Sequence, residues 1–383
     1  MHFTIKNYEN LARSFIYKKN PIYVQFYITA RCNLRCEQCS IIYSDARHDE
    51  MSIDQINLVA ENFKNIGVTF VLLIGGEPFV RKDIHLIVKA FAQRGMHVRL
   101  QTNGLATEEQ LIKCVENGAR DISISLDTLQ QPLQDRINGD FNKSWNKAIK
   151  SIALVNKVFP EKSTAFFNTV LMPRNFFEIK KVLKFATTIG WGMSLVPVHV
   201  GELHSPQGYR TMFDKDKVQF NKEEVLEVCN LINELKTLKK KGYNLYDSDI
   251  YLDDIANFIL GKNLIWRKKN HGICDAIDLY FALAPSGRVK ICCDYEMEKG
   301  YYAYDKNFVE DYLSQQISDA AKPKKISCKG CLYGSYPEIS ISARFLSAMI
   351  ERIKYFDTKR PEIKKLDYQQ LIDIAYKIEN EQI

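Results

Sequence analysis

The run Ile22-Tyr23-Val24-Gln25-Phe26-Tyr27-Ile28-Thr29 leads directly into Ala30-Arg31-Cys32-Asn33-Leu34-Arg35-Cys36-Glu37-Gln38-Cys39. The first eight residues are rich in β-branched and aromatic side chains and predict a strand. The loop that follows holds three cysteines spaced C-x3-C-x2-C. Three thiolates can ligate three irons of a cubane cluster and leave the fourth iron open to a small molecule. A zinc site short of its fourth ligand, or three incidental buried thiols, also fits the spacing taken alone.

Outward from this loop the chain alternates between helix-like and strand-like segments. Ser52, with Gln55 three residues later, is a capping-box start for a helix whose stripe is Ile53, Ile56, Val59, Ala60 and Phe63. Val68–Ile74 is a continuous apolar run, as expected of a strand buried on both faces of a parallel sheet. Further strands are expected at His97–Thr102, Asp121–Leu126, Thr164–Leu171 and Met193–Val198, with helices between them. Six β/α units make a partial (β/α)6 TIM-like barrel over 22–200, with polar motifs just after the strand ends, where barrel chemistry sits.

The remainder divides into an N-terminal extension (1–21), a bridging helical segment (201–272), a cysteine-bearing unit (273–335) and C-terminal helices (336–383). The cysteine-bearing unit is expected to open with a hairpin, Leu279–Ala284 then Arg288–Cys293, turning at Pro285-Ser286-Gly287.

Composition narrows the class. The chain is 46% hydrophobic and 26% charged, as in a globular protein, and no apolar run approaches a membrane span. The first 20 residues lack a signal-peptide core, so a cytoplasmic location is the default expectation. The net charge of +7 is spread out, and the densest run, Lys236 with Lys239–Lys241, reads as a solvated helix end. Neither nucleic acid nor membrane is therefore expected as a partner. Ten cysteines in a chain of this kind point to metal ligands or catalytic thiols rather than disulfides.

Three further motifs fall at successive strand ends: Gly75-Gly76-Glu77-Pro78, Thr102-Asn103-Gly104 and Ser125-Leu126-Asp127. Together with the cysteine loop, and in this order, they resemble the radical S-adenosylmethionine (SAM) superfamily over roughly the first 200 residues. The resemblance implies a [4Fe–4S] cluster on Cys32, Cys36 and Cys39. It also implies SAM contacts from Gly75, Gly76, Glu77, Pro78, Asn103, Ser125 and Asp127, with Arg136 gripping the SAM carboxylate. Glycines permit close backbone approach, Glu77 offers an anion to an ammonium, and a guanidinium suits a carboxylate. Gln38 departs from the pattern, because the residue before the third cysteine is often aromatic in this family.

A second cysteine set follows. Cys274-x12-Gly287-x4-Cys292, then Cys328-x2-Cys331, resembles the auxiliary-cluster domain called SPASM, and more closely its one-cluster form, Twitch, since no cysteine follows Cys331. The four would close a second [4Fe–4S] cluster; a zinc site with four cysteine ligands is the alternative. Cys293 competes with Cys292 as ligand, but strand alternation points it the other way. Cys114 and Cys229 read as buried thiols on helix faces. Cys293, and after it Cys229, are candidate hydrogen-atom donors of the kind some radical SAM epimerases use.

The resemblance implies reductive cleavage of SAM to a 5′-deoxyadenosyl radical that abstracts a hydrogen atom from the substrate. The expected electron donor is a flavodoxin or ferredoxin. The expected substrate is a ribosomally made peptide that is oxidised, crosslinked or epimerised, although no leader-binding domain precedes the loop at residue 32. A carbohydrate or aminocyclitol is the alternative small-molecule substrate, and a non-catalytic iron–sulfur or zinc protein the alternative of another class. Molybdopterin-precursor synthesis is disfavoured by the ending Asn380-Glu381-Gln382-Ile383, which lacks a double glycine. His199, Glu202, His204, Tyr209, Asp294 and Tyr295 are candidates for the substrate side, each as readily a surface or hydrogen-bonding residue.

Overall fold

The structure is a computed structural model that describes residues 5–18, 20–39, 50–199, 219–268, 272–293, 295–353 and 361–381. Six strands, β1 (Tyr23–Thr29), β2 (Phe70–Gly75), β3 (His97–Thr102), β4 (Ala119–Ser125), β5 (Thr164–Leu171) and β6 (Gly192–Pro197), pair in sequence order and in parallel. This is the expected partial barrel. Every residue of β1 is buried, because the strand has neighbours on both edges and layers on both faces.

Helices α2 (Ile53–Ile66), α3 (Ile84–Ala92), α4 (Glu108–Glu116), α5 (Gln131–Ile137), α6 (Ser144–Val158) and α7 (Ile179–Thr188) alternate with these strands. The helix starts were legible. Ser52 and Gln55 form the capping box of α2, and Thr107 with Gln110 forms another at α4. The buried stripe of α2 centres on Phe63, whose ring meets Phe91 of α3 at 6.0 Å and Phe281 at 5.6 Å.

Phe281 belongs to β7 (Tyr280–Leu283), the first strand of the expected hairpin. The hairpin of the cysteine-bearing unit does not form a sheet of its own. β7 pairs in parallel with the free edge of β1, and β8 (Val289–Lys290) then pairs antiparallel with β7. β8 is also shorter than expected, because the Ile291 and Cys292 amides turn back onto the Tyr295 carbonyl.

The remaining described helices are α1 (Ile5–Tyr17), α8 (Lys222–Lys240), α9 (Asp249–Ile259), α10 (Phe308–Leu313), α11 (Gln316–Ser327), α12 (Ser335–Arg344), α13 (Leu346–Ile353) and α14 (Tyr368–Glu379). The first of the expected C-terminal helices is broken at Phe345 into α12 and α13. α14 lies over α6 and α7, with Tyr376 beside Trp145 and Lys181 paired to Glu379 at 3.0 Å. Among the described residues no helix is long and apolar enough to cross a membrane.

Candidate active site

The cysteine loop hangs from the C-terminal end of β1 and is gripped from two sides. On one side lies the end of β2. Gly75 and Gly76 lack a side chain because there is no room for one: a Cβ would stand 2.3 Å from the Thr29 carbonyl oxygen and 2.1 Å from that of Arg31. The Gly76 and Glu77 amides donate to those same oxygens, each at 2.9 Å. The close approach read from the glycines is therefore to the chain's own cysteine loop. On the other side lies the end of α5. The Glu37 amide donates to the Ile137 carbonyl at 3.0 Å, Asn138 Oδ1 is 3.5 Å from the Cys36 thiol, and a Cβ on Gly139 would stand 2.3 Å from the Arg35 carbonyl.

The base of the loop is pinned by charge. Glu50 accepts from Thr29 Oγ1 and from Arg31 Nε and Nη2, and buried Arg81 donates to the Ile28 and Met51 carbonyls while pairing with Asp83. Glu50, Arg81 and Asp83 belong to none of the quoted motifs, so pattern reading did not find them.

Glu77 is buried, and its carboxylate ties two strand ends together. It accepts from the Phe79 amide (3.0 Å), Thr102 Oγ1 (2.8 Å) and the Asn103 amide (2.7 Å). Burial outweighs these donors and pushes its pKa up to about 7. Asp127 is also buried, and burial raises its pKa to about 6. Its carboxylate accepts from the Val170 amide at 2.8 Å and from Gln38 Nε2 at 3.3 Å.

Cys32, Cys36 and Cys39 line one cavity of about 310 Å³ together with Gly75, Gly76, Glu77, Pro78, Asn103 and Ser125. Cys293, Tyr333, Gly334 and Ser335 supply the facing wall. Asp127 stands behind Gln38 rather than in the wall, and Arg136 is exposed on α5, outside the cavity. Another arginine, Arg174, reaches the loop and pairs with Glu37 at 3.2 Å.

The residues present fit a cluster and SAM. The donor set is three thiols facing a single cavity. Two amide oxygens beside it, Gln38 Oε1 and Asn103 Oδ1, are buried without a hydrogen-bond partner. Buried acceptors of this kind call for donors, and the ammonium, hydroxyls and amine of SAM supply them. Burial raises the Cys36 pKa, and neighbouring Cys39, Asp127 and Cys32 raise it further.

The second cysteine set gathers below β8. Cys274 hydrogen-bonds the Tyr280 hydroxyl at 3.2 Å, and the Gly330 amide donates to Cys328 at 3.3 Å. Burial raises the Cys331 pKa, with Cys292, Cys274 and Cys328 adding to the effect, so the four thiols are electrostatic neighbours. Among the described residues no three Cys, His, Asp or Glu side chains stand at closed metal-ligand geometry, in either set. Cys114 is fully buried and its pKa is pushed up to about 12, whereas Cys229 is half-buried on α8, away from the cavity.

His199 is a clamp. Its Nδ1 lies 2.7 Å from the Pro197 carbonyl, its Nε2 accepts from the Leu332 amide at 3.0 Å, and its ring stacks on Tyr333 at 3.9 Å. Both bonds require the neutral Nδ1–H tautomer, and burial lowers its pKa to about 4. Tyr295 contributes a backbone carbonyl to the turn after β8. Glu202, His204, Tyr209 and Asp294 lie outside the described residues.

Residues 26–186 match the model of the radical SAM superfamily, so this stretch of the chain is a radical SAM domain. The chain is 24% identical over 269 residues to a probable GTP 3′,8-cyclase of Methanocaldococcus jannaschii, covering 69% of this chain and 76% of the relative. It is 29% identical over 173 residues to an AdoMet-dependent heme synthase of Methanosarcina barkeri, covering 44% of this chain and 48% of the relative. Among solved structures, Streptococcus suis SuiB bound to its precursor peptide SuiA aligns with a TM-score of 0.59 at 16% identity, over 80% of this chain and 68% of SuiB. The enzyme anSMEcpe with bound AdoMet aligns with a TM-score of 0.56 at 16% identity, over 93% of this chain and 99% of anSMEcpe. At these identities the likeness to SuiB and anSMEcpe is one of fold.

Proposed function

We propose that this radical SAM enzyme modifies a peptide. In this reading Cys32, Cys36 and Cys39 hold the SAM-binding [4Fe–4S] cluster, and Cys274, Cys292, Cys328 and Cys331 hold a second, Twitch-like one. The observation that carries the substrate reading is the cavity wall. Among the described residues it contains no Lys or Arg; its polar groups include Gln25, Tyr27, Gln101, Asn103, Asn168 and Ser194, with Glu77 the one acid. Such a wall suits amides and hydroxyls and gives no counter-charge to a triphosphate. The resemblance in fold to SuiB with SuiA bound, and to anSMEcpe with the Cp18Cys peptide bound, supports the same reading. A polyhydroxylated carbohydrate or aminocyclitol is the second reading, favoured by the same uncharged wall.

When bound, cluster and SAM supply one-electron cleavage of SAM and the radical that takes a hydrogen atom from substrate. The chain's own residues position and protect. Glu77 keeps a lone pair for the SAM ammonium beyond its three internal donors. Asn103 Oδ1 and Gln38 Oε1 accept from SAM, and the wall of Cys293, Tyr333, Gly334 and Ser335 excludes water. Where the reaction inverts a carbon centre, Cys293 donates the returning hydrogen atom, held by Tyr27.

The test is anaerobic reconstitution and reduction, followed by SAM with one candidate substrate at a time. Formation of 5′-deoxyadenosine together with a mass change in a peptide supports the proposal. Turnover of GTP or of a sugar, with peptides unchanged, overturns the peptide reading. About eight irons per chain supports two cubanes, and about four with one zinc overturns the second cluster.

A further inference from the structure

At the opposite end of the barrel, under the N-terminal ends of the strands, lies a second cavity of about 230 Å³. Leu11 and Phe15 of α1, Tyr23, Arg99 and Phe166 of the strands, and Met349 and Arg352 of α13 contribute to its wall. A constriction of about 30 Å³, bordered by Arg99, Gln101 and Asn168, separates it from the cysteine-lined cavity. That is room for about one water, so the two chambers are separate sites for any larger molecule.

Two arginines, Arg99 and Arg352, and two carboxylates, Asp121 and Glu338, stand around the lower chamber, but no ion pair reaches Arg99 among the described residues. Arg352 faces Glu338 at 3.7 Å and donates to the Glu338 carbonyl, Ser342 Oγ and the Tyr246 hydroxyl. Asp121 is engaged by His97 Nε2 at 2.6 Å and by the Thr164 amide at 2.9 Å. No ion pair or hydrogen bond reaches the Arg99 side chain among the described residues. Its guanidinium lies over the Phe166 ring at 4.7 Å, and its Nε is buried without a partner. A guanidinium held against apolar walls is costly until an anion reaches it.

We propose that this chamber binds an amphipathic monocarboxylate, an aliphatic or aromatic acid, with its carboxylate on Arg99 and its apolar body against Leu11, Phe15 and Met349. The Arg99 guanidinium, without a side-chain partner among the described residues, offers its fork to one carboxylate, and the wall beyond Asp121 and a few hydroxyls matches hydrocarbon. The site is distinct from the SAM cavity, and the proposal stands whichever substrate the enzyme turns over.

The experiment is a calorimetric titration of the reconstituted enzyme with octanoate and, separately, with octanamide, without SAM or peptide. The expected result is saturable binding of octanoate, with octanamide weaker by about tenfold or more, as befits loss of a buried charged contact. Arg99→Gln brings octanoate to the level of the amide, and Leu11→Trp, which fills the chamber from α1, abolishes binding of both. Equal binding of acid and amide, non-saturable uptake, or no octanoate binding at millimolar concentration (a chamber that holds water only) overturns the proposal. If Arg99→Gln does not fold, the acid-to-amide ratio on the unsubstituted enzyme decides.

Discussion

The Tyr27 hydroxyl lies 3.1 Å from Cys293 Sγ, and Gln25 Nε2 donates to that hydroxyl at 2.9 Å. The contact joins the first strand of the barrel to the residue just after Cys292, and it faces the SAM cavity. In the proposed reading, ligand and donor roles divide between adjacent cysteines, Cys292 for the second cluster and Cys293 for hydrogen return. Cys293→Ala is expected to keep its full iron content and its 5′-deoxyadenosine formation within about twofold, while an inverting reaction loses its product. Cys292→Ala is expected to lose about half of the iron, one cubane of two. Iron assay and product analysis on the two variants check this. Iron loss in Cys293→Ala would reverse the assignment.

The glycines after β2 predict a sharp positional effect. Gly76→Ala forces a Cβ to within 2.1 Å of the Arg31 carbonyl, so the cysteine loop must shift. A destabilisation of about 1–3 kcal/mol is expected, with impaired cluster loading. Gly300→Ala is the control, since its nearest neighbour would be an ordinary contact at 3.5 Å. Thermal midpoint and absorbance of the reconstituted cluster read both effects.

SAM affinity separates two residues that the sequence groups together. Glu77→Gln removes the one acid of the described cavity wall and is expected to weaken SAM binding by about tenfold, near 1.4 kcal/mol. Arg136→Ala, on an exposed face of α5, is expected to change it less than about twofold. Equilibrium binding of SAM to the loaded protein checks both. Strong loss in Arg136→Ala would mean that α5 turns toward the cavity when SAM binds.

His199 gives a pH signature. Its folded-state pKa lies near 4, below the ordinary value of 6.5, so the neutral ring stabilises the fold above pH 6.5. That stability is lost as pH falls from 6.5 toward 4, at up to about 1.4 kcal/mol per pH unit. His199→Gln cannot titrate, so its deficit relative to the unsubstituted protein is expected to shrink over this window. Denaturant titrations of the metal-free protein at several pH values measure it, and a constant deficit would contradict the clamp.

What the sequence revealed, and what it hid, follows from locality. His97–Thr102 and Thr164–Leu171 run as expected, because an apolar strand between turn signals is specified by its own residues. The capping box of α2 was legible for the same reason. α5 was not: it has seven residues, carries Pro132 in its first turn and buries polar Gln134 beside Ile137. The triple engagement of Glu77, the Arg81 brace and the His199 clamp depend on partners that only the fold brings together. Arg136 illustrates the converse, since a motif carries a residue's identity but not the face of the helix on which it is presented.

The pairing of Tyr23–Phe26 with Tyr280–Leu283 has a consequence for how the chain is made. β1 is synthesised about 250 residues before β7, and one of its edges stays open until β7 has emerged. Throughout that interval an apolar strand offers unsatisfied amides to any passing chain. Slow growth at low temperature should therefore raise the soluble yield. Fragments that end before Tyr280 should collect in inclusion bodies, even though they contain every motif of the SAM cavity that lies in the barrel.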